Sequence, residues 1–322
     1  MGERRIKVGI AGIGDIARKA YLPVLGVHPG VEVVGLMSRN LQSVVAAAEP
    51  YRIKGRFTQL EALLAQQPDI VFIHSATEAH YELVMSCLAK GIHVYVDKPL
   101  SCDIGQSEEM AAEAKRQGKL LAVGFNRRFA PMIAEARSWV EEAGGAQTVI
   151  VQKNRTKTQS RSVKETLYDD AIHSIDLAMW LSGGEAAEAE LAAASVIADA
   201  EDRLLSVFGM LQAQAPGTRS CSGIFSMDRS AGADAERVEL HGSGRTAVVD
   251  DLERGLLSAA DGGGRQLAFG GWDSHLRRRG FEGVIQHTLD SLVSPASCSI
   301  RADAVLGSHY MVEKLAAKIM QG

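Results

Sequence analysis

The sequence predicts an α/β protein in two domains: a parallel, doubly wound sheet with flanking helices over residues 1–125, then an α/β domain on a mostly antiparallel sheet over residues 126–322. Three observations predict it. Short apolar runs alternate with longer helical patterns from residue 6 to about residue 124, the signature of βαβ units. The first apolar run passes directly into a glycine-rich turn, Gly12-Ile13-Gly14-Asp15-Ile16-Ala17. Beyond Pro131 the pattern changes to alternating strand-like runs with few helices. A chain of 322 residues exceeds one ordinary core, and 46% hydrophobic content is enough to bury two.

In chain order, the apolar runs 6–11, 31–37, 69–73, 93–96 and 120–123 are expected as parallel strands, and the patterns 16–27, 42–49, 59–66, 79–89 and 104–117 as the helices between them. Gly91 and Gly118 stand where helix C-caps are wanted. A further helix is expected to end near Ala143. Strands are then expected over 148–156, 204–212, 220–225 and 237–240, with helices over 171–181 and 302–320. The three glycines within 261–265 mark a flexible turn rather than a linker, and no repeat or low-complexity tract is found.

Composition limits the partners. A net charge of −4 with scattered Lys and Arg gives no footprint for nucleic acid or an anionic membrane, so a small-molecule substrate is expected. Cys87, Cys102, Cys221 and Cys298 lie far apart without a Cys-x-x-Cys pair. Neither a zinc site nor a disulfide framework is indicated, no His, Cys and carboxylate cluster has metal-ligand spacing, and a reducing, cytoplasmic setting is expected. The basic start before Ile6 is read as the approach to a first strand and not as a leader, because Asp15, Arg18 and Lys19 soon interrupt the apolar stretch. No apolar run approaches the roughly 18 residues of a membrane span.

The glycine turn carries chemistry. Gly12 permits the tight turn, Gly14 lets backbone approach a pyrophosphate, and Ala17 lets the following helix pack closely on the sheet. The N-terminal N–H groups of that helix, from Asp15 and Ile16 onward, then face the phosphates. A nicotinamide dinucleotide is the expected ligand. The second strand ends in Ser38-Arg39-Asn40, without the acid that accepts from the ribose 2′-hydroxyl in NAD proteins. Ser38 and Arg39 suit a 2′-phosphate instead, so NADP is preferred over NAD; the alternative is that Arg39 is a solvated loop residue.

The fourth strand-like run ends in Asp97-Lys98-Pro99, at the edge where an open parallel sheet presents its ligand contacts. A lysine there can hydrogen-bond a substrate hydroxyl and favour its alkoxide, and the proline after it fixes the backbone. The competing reading is a solvated lysine.

Together the glycine turn, the Thr77-Glu78-Ala79-His80 loop, Gly91-Ile92-His93-Val94 and Asp97-Lys98-Pro99 resemble the Gfo/Idh/MocA oxidoreductases. The resemblance spans the chain. Gly124 to Phe129, 169–184, Gly271-Trp272 and Gly280-Phe281 are most similar to its MviM-like branch. It implies a Rossmann domain followed by an α/β domain whose open sheet forms a subunit interface, hence a homo-oligomer, a dimer or tetramer. It also implies cofactor contacts from Ser75, Thr77, His80, Asp97 and Lys98, a catalytic Lys98, and an Asp-x-x-x-His pair matching Asp169 and His173. Residues four apart at a helix start face the same way, so that carboxylate and imidazole can orient one another, and imidazole suits proton transfer as hydride departs. Alternatively Asp169 or Asp170 caps the helix and His173 is a satisfied core residue. Two departures stand out: Ala171 and an additional Asp170 occupy a stretch that is Asp-x-Gly-x-His in many relatives, and Asp97 replaces the more usual Glu. Which of Asp169 and Asp170 faces His173 stays open.

Asn126 and Arg127 follow the last strand of the first domain, and they are expected either to contact cofactor or to form a hinge held by salt bridges. Lys153 and Arg155 fall on one face of a strand by alternation. If that face lines a pocket they favour an anionic or polyhydroxylated substrate; otherwise they are surface charges. Trp272, His275 and Arg277-Arg278-Arg279 rim a pocket or an interface, or simply begin a solvated helix. The function expected is an NAD(P)-dependent oxidoreductase acting on CH–OH groups of a sugar, cyclitol or related polyol. The alternatives are a redox-assisted glycosidase and a non-catalytic dinucleotide-sensing regulator on the same fold.

Overall fold

The computed structural model describes residues 4–183, 189–213 and 220–319. Met1 to Glu3, Gly184 and Met320, which enter the readings above, lie outside them. The chain forms two compact units, Met1–Gly124 with Phe281–Asp303, and Phe125–Gly280 with Ala304–Gly322. The return of Phe281–Asp303 to the first unit has no counterpart in a single cut at 125/126, because the helix Phe281–Asp290 has its apolar side on that unit: Phe281 meets Tyr21 edge-on at 5.6 Å.

The first unit is a six-stranded parallel sheet in the order β3-β2-β1-β4-β5-β6, where β1 is Ile6–Ala11, β2 Val31–Met37, β3 Arg56–Phe57, β4 Ile70–Ile73, β5 His93–Val96 and β6 Leu121–Val123. Order reverses between β1 and β4, which is where such sheets open a crevice at their carboxyl ends. β4 is buried throughout, as a central strand covered on both faces must be. The helix Ile104–Gln117 shows the capping logic: Asp103 accepts from Gln106 N at 3.1 Å, and Gly118 takes the left-handed conformation at the other end.

The second unit carries an eight-stranded mixed sheet in the order β14-β13-β12-β11-β7-β10-β9-β8. Its strands are β7 Thr148–Asn154, β8 Glu190–Ala198, β9 Leu204–Ala213, β10 Cys221–Asp228, β11 Ala235–Gly242, β12 Arg245–Asp250, β13 Arg254–Ala259 and β14 Gly264–Ala268. Among the described residues of this sheet, β7 and β10 run parallel and the other pairings are antiparallel. β10 alternates buried and half-buried residues, and its inward Phe225 and Met227 face the core. The helices Pro131–Glu141 and Ile172–Leu181 cover the sheet, the latter buried along nearly its whole length. β8 and β12 to β14 add to the strands expected from the sequence.

Candidate active site

In the first unit, the chain leaves β1 into Gly12, at φ +92°. A Cβ here would stand 2.4 Å from Ser75 N and 2.5 Å from the His74 carbonyl carbon, so the turn packs directly on the chain leaving β4. Gly14 differs: the nearest atom to a Cβ would be His74 O at 3.9 Å, leaving room above the turn. The turn continues into a π-helical stretch, Ala17–Tyr21. Ala17 is fully buried, Ile16 is exposed, and Asp15 is exposed and paired with Arg18 at 2.9 Å and Lys19 at 2.8 Å. At the end of β2, Ser38 is half-buried and Arg39 exposed, while Asn40 caps the next helix by accepting from Ser43 N.

Asp97 and Lys98 follow β5, and the Lys98–Pro99 bond is cis. Asp97 Oδ2 lies 2.8 Å from His74 Nδ1, whose ring rests on Tyr21 with centroids 3.9 Å apart. Burial works to raise the Asp97 carboxyl, but His74, His80 and Tyr21 outweigh it and hold it below its ordinary value. The buried His80 spans the loop: Nδ1 lies 2.9 Å from Pro99 O and Nε2 3.2 Å from Ser75 O. Burial pushes its pKa down. His74 Nε2 and Ser75 Oγ are buried without a hydrogen-bond partner among the described residues, and Thr77 stands half-buried beside them. Orphaned polar atoms beside an open glycine turn fit a polar ligand such as a dinucleotide.

In the second unit, Asp169 and Asp170 lie in a π-helical turn, Leu167–Ala171, which runs into the helix Ile172–Leu181 bearing His173. The turn is π-helical where a regular α-helical start was expected, and its two neighbouring carboxylates take different partners. Asp169 is the more exposed, accepting from Gln159 Nε2 at 3.1 Å and facing Arg161 at 3.3 Å. Asp170 turns inward and is ion-paired with both Lys153 and Arg229. His173 is buried, edge-on to Phe125 at 6.4 Å.

Lys153 and Arg155 are therefore not free surface charges. Arg155 Nη2 donates to Glu236 Oε1 at 2.6 Å, and Arg127 grips the same carboxylate with two bonds of 2.8 Å. Glu236 and Arg229 carry no short-range signal in the sequence, since each reaches its partners across many residues. Asn126 donates to Arg279 O at 2.7 Å. Trp272 is fully exposed on the stretch after β14, and Arg277 pairs with Asp273 on the same stretch.

Both halves of the chain are similar to known oxidoreductases. Residues 6–125 match the model described as oxidoreductase family, NAD-binding Rossmann fold, and residues 131–258 match the YceM-like C-terminal domain. The chain is 31% identical over 313 residues to "Putative oxidoreductase YceM" of Salmonella typhimurium, covering 97% of both proteins. It is 27% identical over 190 residues to D-glucoside 3-dehydrogenase of Escherichia coli, covering 55% of this chain and 54% of that one. The crystal structure of the dehydrogenase MviM from Clostridium difficile superposes with a TM-score of 0.88 at 31% identity, covering 98% of this chain and 100% of that one. No helix among the described residues is long and apolar enough to cross a membrane. With its parallel dinucleotide-binding unit and YceM-like second unit, the chain belongs to the Gfo/Idh/MocA family of NAD(P)-binding oxidoreductases.

Proposed function

We propose that the protein oxidises or reduces a carbinol or carbonyl carbon of a sugar, cyclitol or related polyol, with NADP preferred over NAD. The observation that carries this reading is Lys98, set at the carboxyl end of β5 in the same parallel sheet whose β1 ends in the Gly12 turn. The bound dinucleotide supplies the hydride acceptor or donor. Around it, Gly14 and the N-terminal N–H groups at Asp15, Ile16 and Ala17 take the pyrophosphate, and Ser38 with Arg39 takes the 2′-phosphate. Ser75, Thr77, His80, Asp97, Asn126 and Arg127 complete the cofactor contacts.

Lys98 holds the substrate hydroxyl and stabilises alkoxide charge as it develops, His173 accepts its proton, and Asp169 orients His173. Asp169 suits that role better than Asp170, because Asp170 is committed to Lys153 and Arg229. Asp170, Lys153, Arg155 and Trp272 are assigned to substrate. The activity named for the Escherichia coli relative, on a D-glucoside, supports a sugar-like alcohol. A homo-oligomer, dimer or tetramer, is proposed through the second unit's sheet, where Ile197, Phe208 and Leu256 are exposed. The cytoplasm is the proposed location, from the scattered cysteines.

The test is Lys98→Ala, assayed against a panel of polyols, aminosugars and keto-sugars at the nicotinamide absorbance band. Cofactor affinity should persist and turnover vanish. Wild-type turnover in the variant overturns the assignment.

A further inference from the structure

Five cationic side chains converge in the second unit around two carboxylates. Lys153 and Arg229 share Asp170, while Arg127, Arg155 and Arg279 converge on Glu236, the last at 3.6 Å. Two more carboxylates stand farther out, Asp234, which accepts from Thr156 N and Oγ1, and Glu253. Asp251, whose Oδ1 accepts from Glu236 N at 3.0 Å, lies with them, so the surplus belongs to the buried inner part, where, among the described residues, Lys153, Arg127 and Arg229 face only Asp170 and Glu236.

The inner members are also withdrawn from water: the side chains of Lys153, Arg229 and Arg127 are 3%, 6% and 10% exposed. A buried network that serves only folding gains nothing from surplus charge, because each uncompensated ion costs several kcal/mol of desolvation. Burial, followed by the neighbouring Arg127, pushes the Lys153 ammonium down to about 7 despite Asp170 and Glu236. Independently of charge counting, Arg229 Nε is buried without a hydrogen-bond partner among the described residues, although Nη1 of the same guanidinium pairs with Asp170. An unfilled donor in an over-cationic, water-poor cluster is a preorganised place for an anion.

We propose that this cluster receives an anionic group, a carboxylate or a phosphate, carried by the hydroxylated substrate. The inference deepens the oxidoreductase reading above and rests on it for the reaction, but not for the binding. Arg155 and Arg279, at 22% and 30% exposure, form the approach, and Arg229 and Lys153 the floor. A neutral polyol would leave the surplus charge uncompensated.

The experiment is calorimetric titration of the cofactor-loaded, full-length protein with D-glucuronate, D-glucose 6-phosphate and D-glucose. One anion or the other should bind at least about 10-fold more tightly than glucose, the magnitude of one charge-assisted hydrogen bond. The winning arm identifies the carboxylate or the phosphate as the group taken. The preference should shrink as salt rises, and Arg229→Gln and Arg155→Gln should each weaken anion binding about 10-fold, well beyond any change in glucose binding. If Arg229→Gln fails to fold, the more exposed Arg155→Gln decides. Equal binding of all three sugars, no binding by either anion, or indifference to Arg155→Gln overturns the inference. Tight anion binding without hydride transfer to or from any substrate would overturn only the oxidoreductase assignment; turnover of neutral polyols with no anion preference would overturn only this one.

Discussion

His74 Nδ1 sits 2.8 Å from Asp97 Oδ2, so the carboxylate immediately before Lys98 is held by an imidazole from the end of the adjacent strand. Tyr21 extends the arrangement, its ring against His74 and its hydroxyl 2.6 Å from that of Tyr95. The His74 side chain is wholly buried, so His74→Ala removes a packed ring and strands a carboxylate. The expected cost is about 1–3 kcal/mol of stability, read by denaturant unfolding, together with a fall in kcat as the Lys98 segment loosens. Unchanged stability and turnover would mean that the pair positions nothing.

Gly12 and Gly14 should respond differently to the same change. Gly12→Ala forces a methyl into the chain at Ser75 and adds a left-handed non-glycine residue, at a cost of about 1–3 kcal/mol. Gly14→Ala meets no protein atom closer than 3.9 Å and should melt like the wild type. Both should lose dinucleotide affinity by fluorescence titration. Normal NADPH binding by Gly14→Ala would remove the pyrophosphate from that turn.

Exchange of Arg39 for Asp tests cofactor choice. Arg39 is exposed at the end of β2, free of any structural cap, which Asn40 supplies. NADPH should bind roughly 10- to 100-fold more weakly and NADH unchanged or better. Tighter binding of NADH than NADPH by the unmodified protein would already refute the preference.

Glu236 links acid stability to the cationic cluster. Burial alone would raise its carboxyl, but Arg127, Lys153 and Arg155 hold it far below its ordinary 4.5. Because the folded-state value is depressed, this contribution to stability is complete above about pH 4.5 and is lost as pH falls toward the folded-state value. Glu236→Gln should therefore destabilise by about 3–5 kcal/mol at pH 7, with the gap to wild type narrowing below pH 4.5. A constant gap across that range in urea titrations would contradict the mechanism.

Arg128 and Asp176 form a buried two-point pair, with bonds of 2.8 and 2.5 Å, and Ser308 donates to the same carboxylate at 3.0 Å. Through Asp176, the helix Ile172–Leu181 is tied to the stretch Asn126–Phe129 by Arg128 and to the helix Ala302–Ile319 by Ser308. Asp176→Ala leaves a buried cation and should cost about 3–5 kcal/mol, while Arg128→Met with Asp176→Leu should recover much of that loss. Thermal melts of the single and double variants compare the two, and an equal loss in both would show that packing matters more than charge.

The first unit was the more legible because its code is local. A strand running into Gly12-x-Gly14 and a lysine closing a fourth buried run are statements about neighbours in sequence. β8 is harder: its Ala192-Ala193-Ala194 offers no β-branched alternation, and its strand state comes from pairing with β9. The β11–β12 hairpin did carry a readable signal, since Ser243-Gly244 both take positive φ as a tight two-residue turn demands. His74 and Glu236 were invisible for a different reason. Their partners lie 23 and 109 residues away, and no spacing rule connects an arginine after β6 to a glutamate on β11. The π-helical turn bearing Asp169 and Asp170 was also hidden, because no residue pattern in the sequence marks the switch from i→i+4 to i→i+5 hydrogen bonding.

The main-chain N–H of Val123 donates to Ile300 O at 2.9 Å, and Ala122 bridges Arg301, so a segment made late covers the outer edge of β6. On the ribosome, the nascent first unit must wait for the whole of the second to be translated before that edge is sealed. Until then β6 is an open template for strand addition, exposed for the time it takes to make every residue from Phe125 to Ile300. A gene fragment stopping at Gly124 makes this exposure permanent, so the dinucleotide unit is best expressed with its C-terminal segment rejoined.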